Sequence, residues 1–212
     1  MKNIILYGAP AAGKGTQCEL LKKHYNYHHI SMGQLFRDLD DSTEFNRQIH
    51  EMINKGMLID DATTTKLLKN TLKDINGGPI VLDGFPRNLN QAKLLDDFFD
   101  NYVVINLDIA EDIALKRILG RLNCSNCGKI YNIYFQETAP SIADKCDICG
   151  AELVSRQDDN EESFKNRFNT YLDNVKDILD YYTNKGVLYH IKSENAEKSF
   201  SQIKQILNGG DY

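Results

Sequence analysis

Residues 4–7 form a short apolar run that stops at Gly8-Ala9-Pro10-Ala11-Ala12-Gly13-Lys14-Gly15-Thr16, and residues 14–24 continue with the character of a helix. Glycines in such a turn let backbone amides point inward and cradle an anion, while the helix that follows aims its N-terminus at the same point. The spacing G-x4-G-K is met, so Lys14 is expected to reach the β- and γ-phosphates of a nucleotide. Gly15 stands where a hydroxyl residue is usual, and the hydroxyl arrives one place later at Thr16. A strand before the loop and a helix after it are the context that separates a phosphate loop from a chance glycine turn.

The rest of the chain keeps the same alternation. Residues 79–82, 102–107 and 187–191 read as buried strands, and residues 65–75, 90–99, 111–121, 161–184 and 197–207 as helices. Strand followed by helix, repeated, implies a parallel sheet covered by helices on both faces, an α/β fold. Two stretches break the rhythm and look like insertions on that core: residues 31–59, which read as helical, and residues 122–155, which hold most of the cysteines. At 212 residues the chain is long enough to bury one core with such insertions.

Cys124, Cys127, Cys146 and Cys149 read C-x2-C-x18-C-x2-C, each pair followed by glycine. The spacing is that of four-cysteine zinc sites, in which glycine knuckles turn amides toward the sulfurs. In a reducing compartment, paired cysteines of this kind bind metal rather than form disulfides. Four thiolates leave no open position, so the expected zinc is structural. The fifth cysteine, Cys18, reads as a small buried apolar residue, and His24, His28, His29, His50 and His190 show no metal or triad spacing. No apolar leader with a cleavage pattern and no membrane span is evident, so cytoplasmic residence is the expectation. The formal charge of −5 argues against a nucleic-acid coat.

Seven arginines stand against eighteen lysines, and six of the seven fall beside short motifs: Arg37 in SMGQLFR, Arg87 in DGFPR, Arg117 and Arg121 around KRILGR, Arg156 opening RQDD, and Arg167 beyond it. The planar guanidinium grips phosphate bidentately, which an ammonium cannot. Asp83 closes the strand-like Ile80-Val81-Leu82, where a carboxylate beside a phosphate loop can orient Mg²⁺ through water, or simply cap the next helix. Loop, arginines and aspartate together point to phosphoryl transfer between two bound nucleotides.

Taken in order, GKGTQ, LFR, LDGFPR with Gln91, GR, CxxCG, CxxCG and RxDD with a following arginine resemble adenylate kinase in its long-lid, zinc-bearing form, over essentially the whole chain. The resemblance implies a P-loop nucleoside monophosphate kinase with a five-stranded parallel sheet. It implies a core of residues 1–30, 60–121 and 157–212, an AMP-binding insertion of 31–59 and a lid of 122–156. It implies transfer from ATP to AMP to give two ADP, with Mg²⁺ as well as structural Zn²⁺, in a monomer without membrane or nucleic-acid partners.

By position, the resemblance assigns ATP to Ala11, Ala12, Gly13, Lys14, Gly15, Thr16, Arg117, Arg121, Ile130 and Tyr131. Arg117 would lie against the adenine ring. It assigns AMP to Met32, Arg37, Met57, Leu58, Ile59, Gly84, Phe85, Pro86, Arg87, Gln91, Arg156 and Arg167, with Gln91 reading the adenine edge. Lys14, Arg37, Arg87, Arg121, Arg156 and Arg167 would carry the transfer, and Asp158 and Asp159 would pair with basic groups on closure. Mg²⁺ would be held through water by Asp83.

The chain departs from the family pattern S-T-G-D at Ser31-Met32-Gly33-Gln34, losing a hydroxyl near the AMP base and a carboxylate near the hydrated magnesium. Ala11 also replaces a common loop glycine. Other readings remain open: CMP, UMP or GMP as acceptor, or a zinc-ribbon nucleic-acid-binding ATPase. The second is disfavoured because residues 122–155 carry only Lys129 and Lys145 as cations. A guanine-nucleotide switch lacks its N-K-x-D motif.

Overall fold

The computed structural model describes residues 1–209; the last three residues of the expected core segment 157–212 lie outside the described residues. Five parallel strands form the central sheet: β1 (Asn3–Tyr7), β2 (His28–Ser31), β3 (Ile80–Asp83), β4 (Tyr102–Asp108) and β8 (Leu188–Lys192), in the order β2-β3-β1-β4-β8. Because alternate side chains face opposite ways, the sheet feeds two cores. Ile5, Leu82 and Val104 join Met32, Phe85 and Tyr182 on one face, and Ile4, Leu6, Val81 and Ile105 join Cys18, Leu21 and Ile203 on the other. The helices are α1 (Lys14–Tyr25), α4 (Asp61–Lys73), α5 (Leu89–Leu94), α6 (Glu111–Leu119), α7 (Glu161–Asn184) and α8 (Ala196–Leu207).

The expected strands and helices are present, except that the helix expected over 90–99 is α-helical only over Leu89–Leu94 and tightens to a 3-10 turn at Leu95–Asp97; three further differences are instructive. β2 was not among the strands read from periodicity, because His28-His29-Ile30-Ser31 has one apolar residue and no alternation; its pairing with β3 defines it. The helix expected over 65–75 begins four residues earlier, where the Asp60 carboxylate accepts from the Thr63 amide at 2.8 Å and caps it. The helix expected over 111–121 ends at Leu119, and Arg121 instead opens a strand. Gly120 is the cap, and a side chain there would stand 2.4 Å from Asn132 Oδ1.

The stretch 31–59 holds α2 (Met32–Arg37) and α3 (Glu44–Asn54). The cysteine stretch folds as a separate three-stranded antiparallel sheet of β6 (Ile130–Asn132), β5 (Arg121–Cys124) and β7 (Leu153–Val154), in that order.

Gly8 shows why the phosphate loop tolerates so little. It has φ of +134°, and a Cβ there would lie 2.5 Å from the Leu107 carbonyl oxygen. Gly8→Ala is therefore expected to cost about 1–3 kcal/mol from backbone strain alone. A urea midpoint equal to that of the parent protein would contradict this.

Candidate active site

The loop between β1 and α1 is built around an uncapped helix end. Gly13, at φ of +90°, is the N-cap of α1, with no side-chain cap and no acidic residue in the first turn. By contrast, Ser31, Thr43, Asp60, Asn88, Asn160 and Asn195 cap α2, α3, α4, α5, α7 and α8. The first-turn amides of α1 are thus left for an anion. Lys14 Nζ lies over the loop, donating to the carbonyls of Gly8 and Ala9 at 2.8 Å each. Ala11 adopts φ of +60° where a glycine would be unstrained, Ala12 is fully buried, and Thr16 is exposed at the helix start. Ile130 Cδ1 sits 3.9 Å from where a Cβ on Gly15 would stand, so the second sheet overhangs the loop.

Arg117 clamps the loop to the end of β8. Its guanidinium donates to Ala11 O (3.3 Å), Ser193 Oγ (2.9 Å), Ser193 O (3.2 Å) and Glu194 O (3.1 Å), and Ser193 Oγ donates to Ala12 O at 2.7 Å. The same guanidinium lies 6.0 Å from the Phe135 ring centroid, and the space between is an open cleft lined also by Ile109 and Ile113. Sequence reasoning found Arg117 here but not Phe135, Ser193 or Glu194, which no local motif marks.

A second cleft gathers most of the residues expected to meet the other nucleotide. Met32, Arg37, Met57, Leu58, Ile59, Gly84, Arg87, Gln91 and Arg167 all line it, with Gly33, Phe36, Ile53, Gly56, Thr64 and Asp158, of which the resemblance assigns a role only to Asp158. Arg156 does not line it, and neither do Phe85 and Pro86. Both are buried, and the Phe85 ring belongs to the hydrophobic core, so only Gly84 and Arg87 of that turn face the cleft. Gln91 is held at both ends: its Oε1 accepts from the Arg87 amide (2.8 Å) and its Nε2 donates to Asp61 Oδ1 (2.7 Å).

Tyr131 also differs from expectation. Its ring is buried in the small core of the second sheet, with its hydroxyl 3.5 Å from Cys146 Sγ and accepting from the Asp147 amide at 2.8 Å. Neighbours in a strand face opposite ways, so with Ile130 over the loop, Tyr131 has only its main chain to offer there.

Between the clefts the arginines converge. Arg121 grips Asp159 bidentately, with Nε at 2.7 Å from Oδ2 and Nη2 on Oδ1. Arg167 pairs with Asp158 at 2.9 Å and donates to Ser163 Oγ at 2.9 Å, leaving its buried Nε without a partner among the described residues. Arg156 donates to Asn123 Oδ1 at 3.0 Å, and Arg37 Nη2 to Gln34 Oε1 at 3.3 Å. Arg87 Nε donates to Gly84 O at 3.1 Å.

Burial weakens the hold of four of the site's cations on their protons. Arg156 is pushed down to about 10 by burial, then by Arg121 and Arg37; burial followed by Arg167 lowers Arg87, and burial lowers Lys14 and Arg37. Six cations thus face three carboxylates, Asp83, Asp158 and Asp159. A site with this excess of partly buried positive charge is built to receive a highly anionic ligand. Arg47, the seventh arginine, pairs instead with Glu44 at 3.0 Å on the surface.

Apart from Ser193 and Glu194, the residues of this geometry lie in the region covered by a family profile. The profile for adenylate kinase matches residues 6–187. The chain belongs to the adenylate kinase family. Among relatives, the adenylate kinase of Clostridioides difficile (strain 630) is 38% identical over 216 residues, covering 98% of this chain and 99% of its own. That of Borrelia turicatae (strain 91E135) is 37% identical, covering 96% of each, and that of Rickettsia africae (strain ESF-5) is 38% identical, covering 96% of this chain and 98% of its own. The adenylate kinase relatives thus span the second sheet as well as the central one.

The four cysteines of that second sheet bring their sulfurs within 4.8 Å of one another, with Cys124–Cys149 at 3.4 Å and Cys127–Cys146 at 3.6 Å. A tetrahedron with metal–sulfur bonds of about 2.3 Å places sulfurs ~3.8 Å apart, so the cluster has the size of a metal site. None of these pairs is a disulfide. Gly128 and Gly150 take φ of +73° and +71°, and the Cys127 amide donates to Cys124 Sγ at 3.4 Å. The Tyr131 hydroxyl, first among several hydrogen bonds, draws the Cys146 thiol down to about 6. No helix among the described residues is long and apolar enough to cross a membrane.

Proposed function

We infer that this chain catalyses reversible phosphoryl transfer from ATP to AMP, giving two ADP. The observation that carries the reading is the meeting of five arginines (Arg37, Arg87, Arg121, Arg156 and Arg167) between a phosphate loop and a second cleft. Phosphoryl transfer offers the protein little covalent chemistry, so the work is positioning and charge stabilisation. ATP lies with its phosphates on residues 11–16 and its base between Arg117 and Phe135. AMP lies in the cleft of Met32, Met57, Leu58, Ile59 and Gln91. Lys14 and the arginines hold the phosphates in line and neutralise charge as it shifts from donor to acceptor. No general base is required.

Residues 31–59 form the AMP-binding part and 122–156 the lid on a core of 1–30, 60–121 and 157–212, and their closure keeps water from the phosphoryl group. The Arg121–Asp159 and Arg167–Asp158 pairs favour this reading, since they tie the arginines to the segment joining lid and core. Zinc suits the four-thiolate cluster as a structural ion. The protein acts as a cytoplasmic monomer.

Mg²⁺ when bound shields the phosphates and fixes their geometry, and Asp83 is the carboxylate placed to hold its water shell. Gln34 is tied to Arg37 and donates through Nε2 to Asp38 Oδ1 at 2.6 Å, bringing no charge of its own. Asp83→Asn is expected to raise the Mg²⁺ concentration for half-maximal activity roughly threefold to tenfold, the loss of a charge-assisted hydrogen bond. Gln34→Ala should raise it less, and Gln34→Asp should lower it. Magnesium titrations at fixed ATP and AMP check this; an unchanged requirement in Asp83→Asn would mean the metal lies elsewhere. The acceptor is tested by turnover with AMP, CMP, UMP and GMP, and preference for any but AMP would overturn the assignment.

A further inference from the structure

Three residues that the sequence keeps apart meet beneath α1. One ligand atom each of Cys18, His29 and Asp83 lies within 4.8 Å of the other two. The register explains the meeting: His29 pairs with Val81 and Ser31 with Asp83, so His29 and Asp83 point to the same face of the sheet, the face that α1 covers. Cys18 is fully buried there. The His29 ring is held from outside, its Nδ1 3.3 Å from Glu19 Oε1, while its Nε2 is buried with no hydrogen-bond partner among the described residues. A buried ring nitrogen without a partner is costly unless something else engages it.

We propose that Cys18, His29 and Asp83 form a second metal site, separate from the four-cysteine cluster, for a thiophilic divalent cation of the zinc class, and that filling it inhibits phosphoryl transfer. One thiolate, one imidazole and one carboxylate suit zinc or cobalt and not magnesium, and three protein donors leave a fourth position for water. Bond lengths of about 2.0–2.3 Å bring donors ~3.3–3.7 Å apart, within reach of separations that are all under 4.8 Å. The Cys18 thiol gives its proton to solvent as the metal–sulfur bond forms. Glu19 on Nδ1 holds the ring so that the Nε2 lone pair faces inward, the arrangement that orients metal-binding histidines. On the reading of Asp83 as the anchor of magnesium's water shell, the bound cation takes that carboxylate away and adds charge beside Lys14.

The test uses full-length, zinc-loaded protein without nucleotide, titrated with Co²⁺, which binds thiolates more weakly than zinc and so leaves the four-cysteine site alone. One cobalt per chain should bind, with the visible absorption and thiolate charge-transfer band of a cysteine-ligated ion. Cys18→Ala should abolish the band, and Glu19→Gln should weaken cobalt binding roughly 10–100-fold. In turnover assays Cys18→Ala should keep the parent's basal rate and need at least roughly tenfold more Zn²⁺ for half-inhibition, and added Mg²⁺ should relieve inhibition of the parent. The proposal is overturned if the parent shows no such band, or if Cys18→Ala binds cobalt or responds to zinc as the parent does. If Cys18→Ala does not fold, His29→Gln gives the same readouts. Cobalt binding needs no turnover, so it stands apart from any failure of the ATP–AMP assignment.

Discussion

Arg87→Ala is expected to lower kcat by about 10²–10³, or about 2.7–4 kcal/mol, the usual cost of removing one fixed donor aimed at developing charge. Arg87 lies just beyond β3 in the turn that lines the second cleft. Its Nε is anchored on Gly84 O, which spends one of five guanidinium donors and leaves the rest for phosphate. Its neighbours include Arg167 and Arg37 as well as Asp83 and Asp158, so its removal relieves repulsion as well as removing attraction. Thermal stability should therefore move little while turnover collapses. Near-parental turnover in a folded Arg87→Ala protein would remove Arg87 from the transfer site.

Stripping the metal from the four-cysteine cluster should have the largest structural effect. The core of that sheet consists of Cys124, Tyr131, Cys146 and Leu153, with Leu122 and Ala151 packed against it, so two of its four buried residues are cysteines of the cluster proposed to hold zinc. Without the ion little apolar burial remains to order the strands. Structural zinc contributes ~10–16 kcal/mol of apparent binding free energy in isolated peptides. The central sheet has two large cores of its own and does not depend on it. Chelation, or Cys146→Ser, should thus lower the thermal midpoint and abolish hydrogen-exchange protection in β5, β6 and β7 while β1, β3 and β4 stay protected. Protein isolated without chelator should carry one zinc per chain. Much less than one, or unchanged protection of β5 after removal, would contradict the account.

What the sequence disclosed was what is local. The phosphate loop, the cysteine knuckles and the long helix Glu161–Asn184 each lie in one stretch with its own spacing, and each stands where it was expected. β2 was invisible because two histidines and a serine carry no periodicity, and only pairing with β3 makes them a strand. Phe135 and Ser193 reach Arg117 from distant stretches of chain, and proximity across a fold leaves no mark on spacing. Tyr131 and Phe85 were legible in principle. Ile130 and Tyr131 are strand neighbours and cannot present both side chains to one ligand, and a phenylalanine after a buried strand has a core to fill. The same blindness to distance hid Cys18, His29 and Asp83, which come from one helix and two strands.

The central claim is that this chain moves a phosphoryl group from ATP to AMP. Phosphorus NMR of ATP, AMP and Mg²⁺ with purified protein tests it most directly, because donor, acceptor and product are resolved together. The account predicts that ATP and AMP disappear in equal amounts, that two ADP appear for each pair, and that ADP alone is converted back to both. ATP loss that proceeds without AMP and releases inorganic phosphate would contradict it.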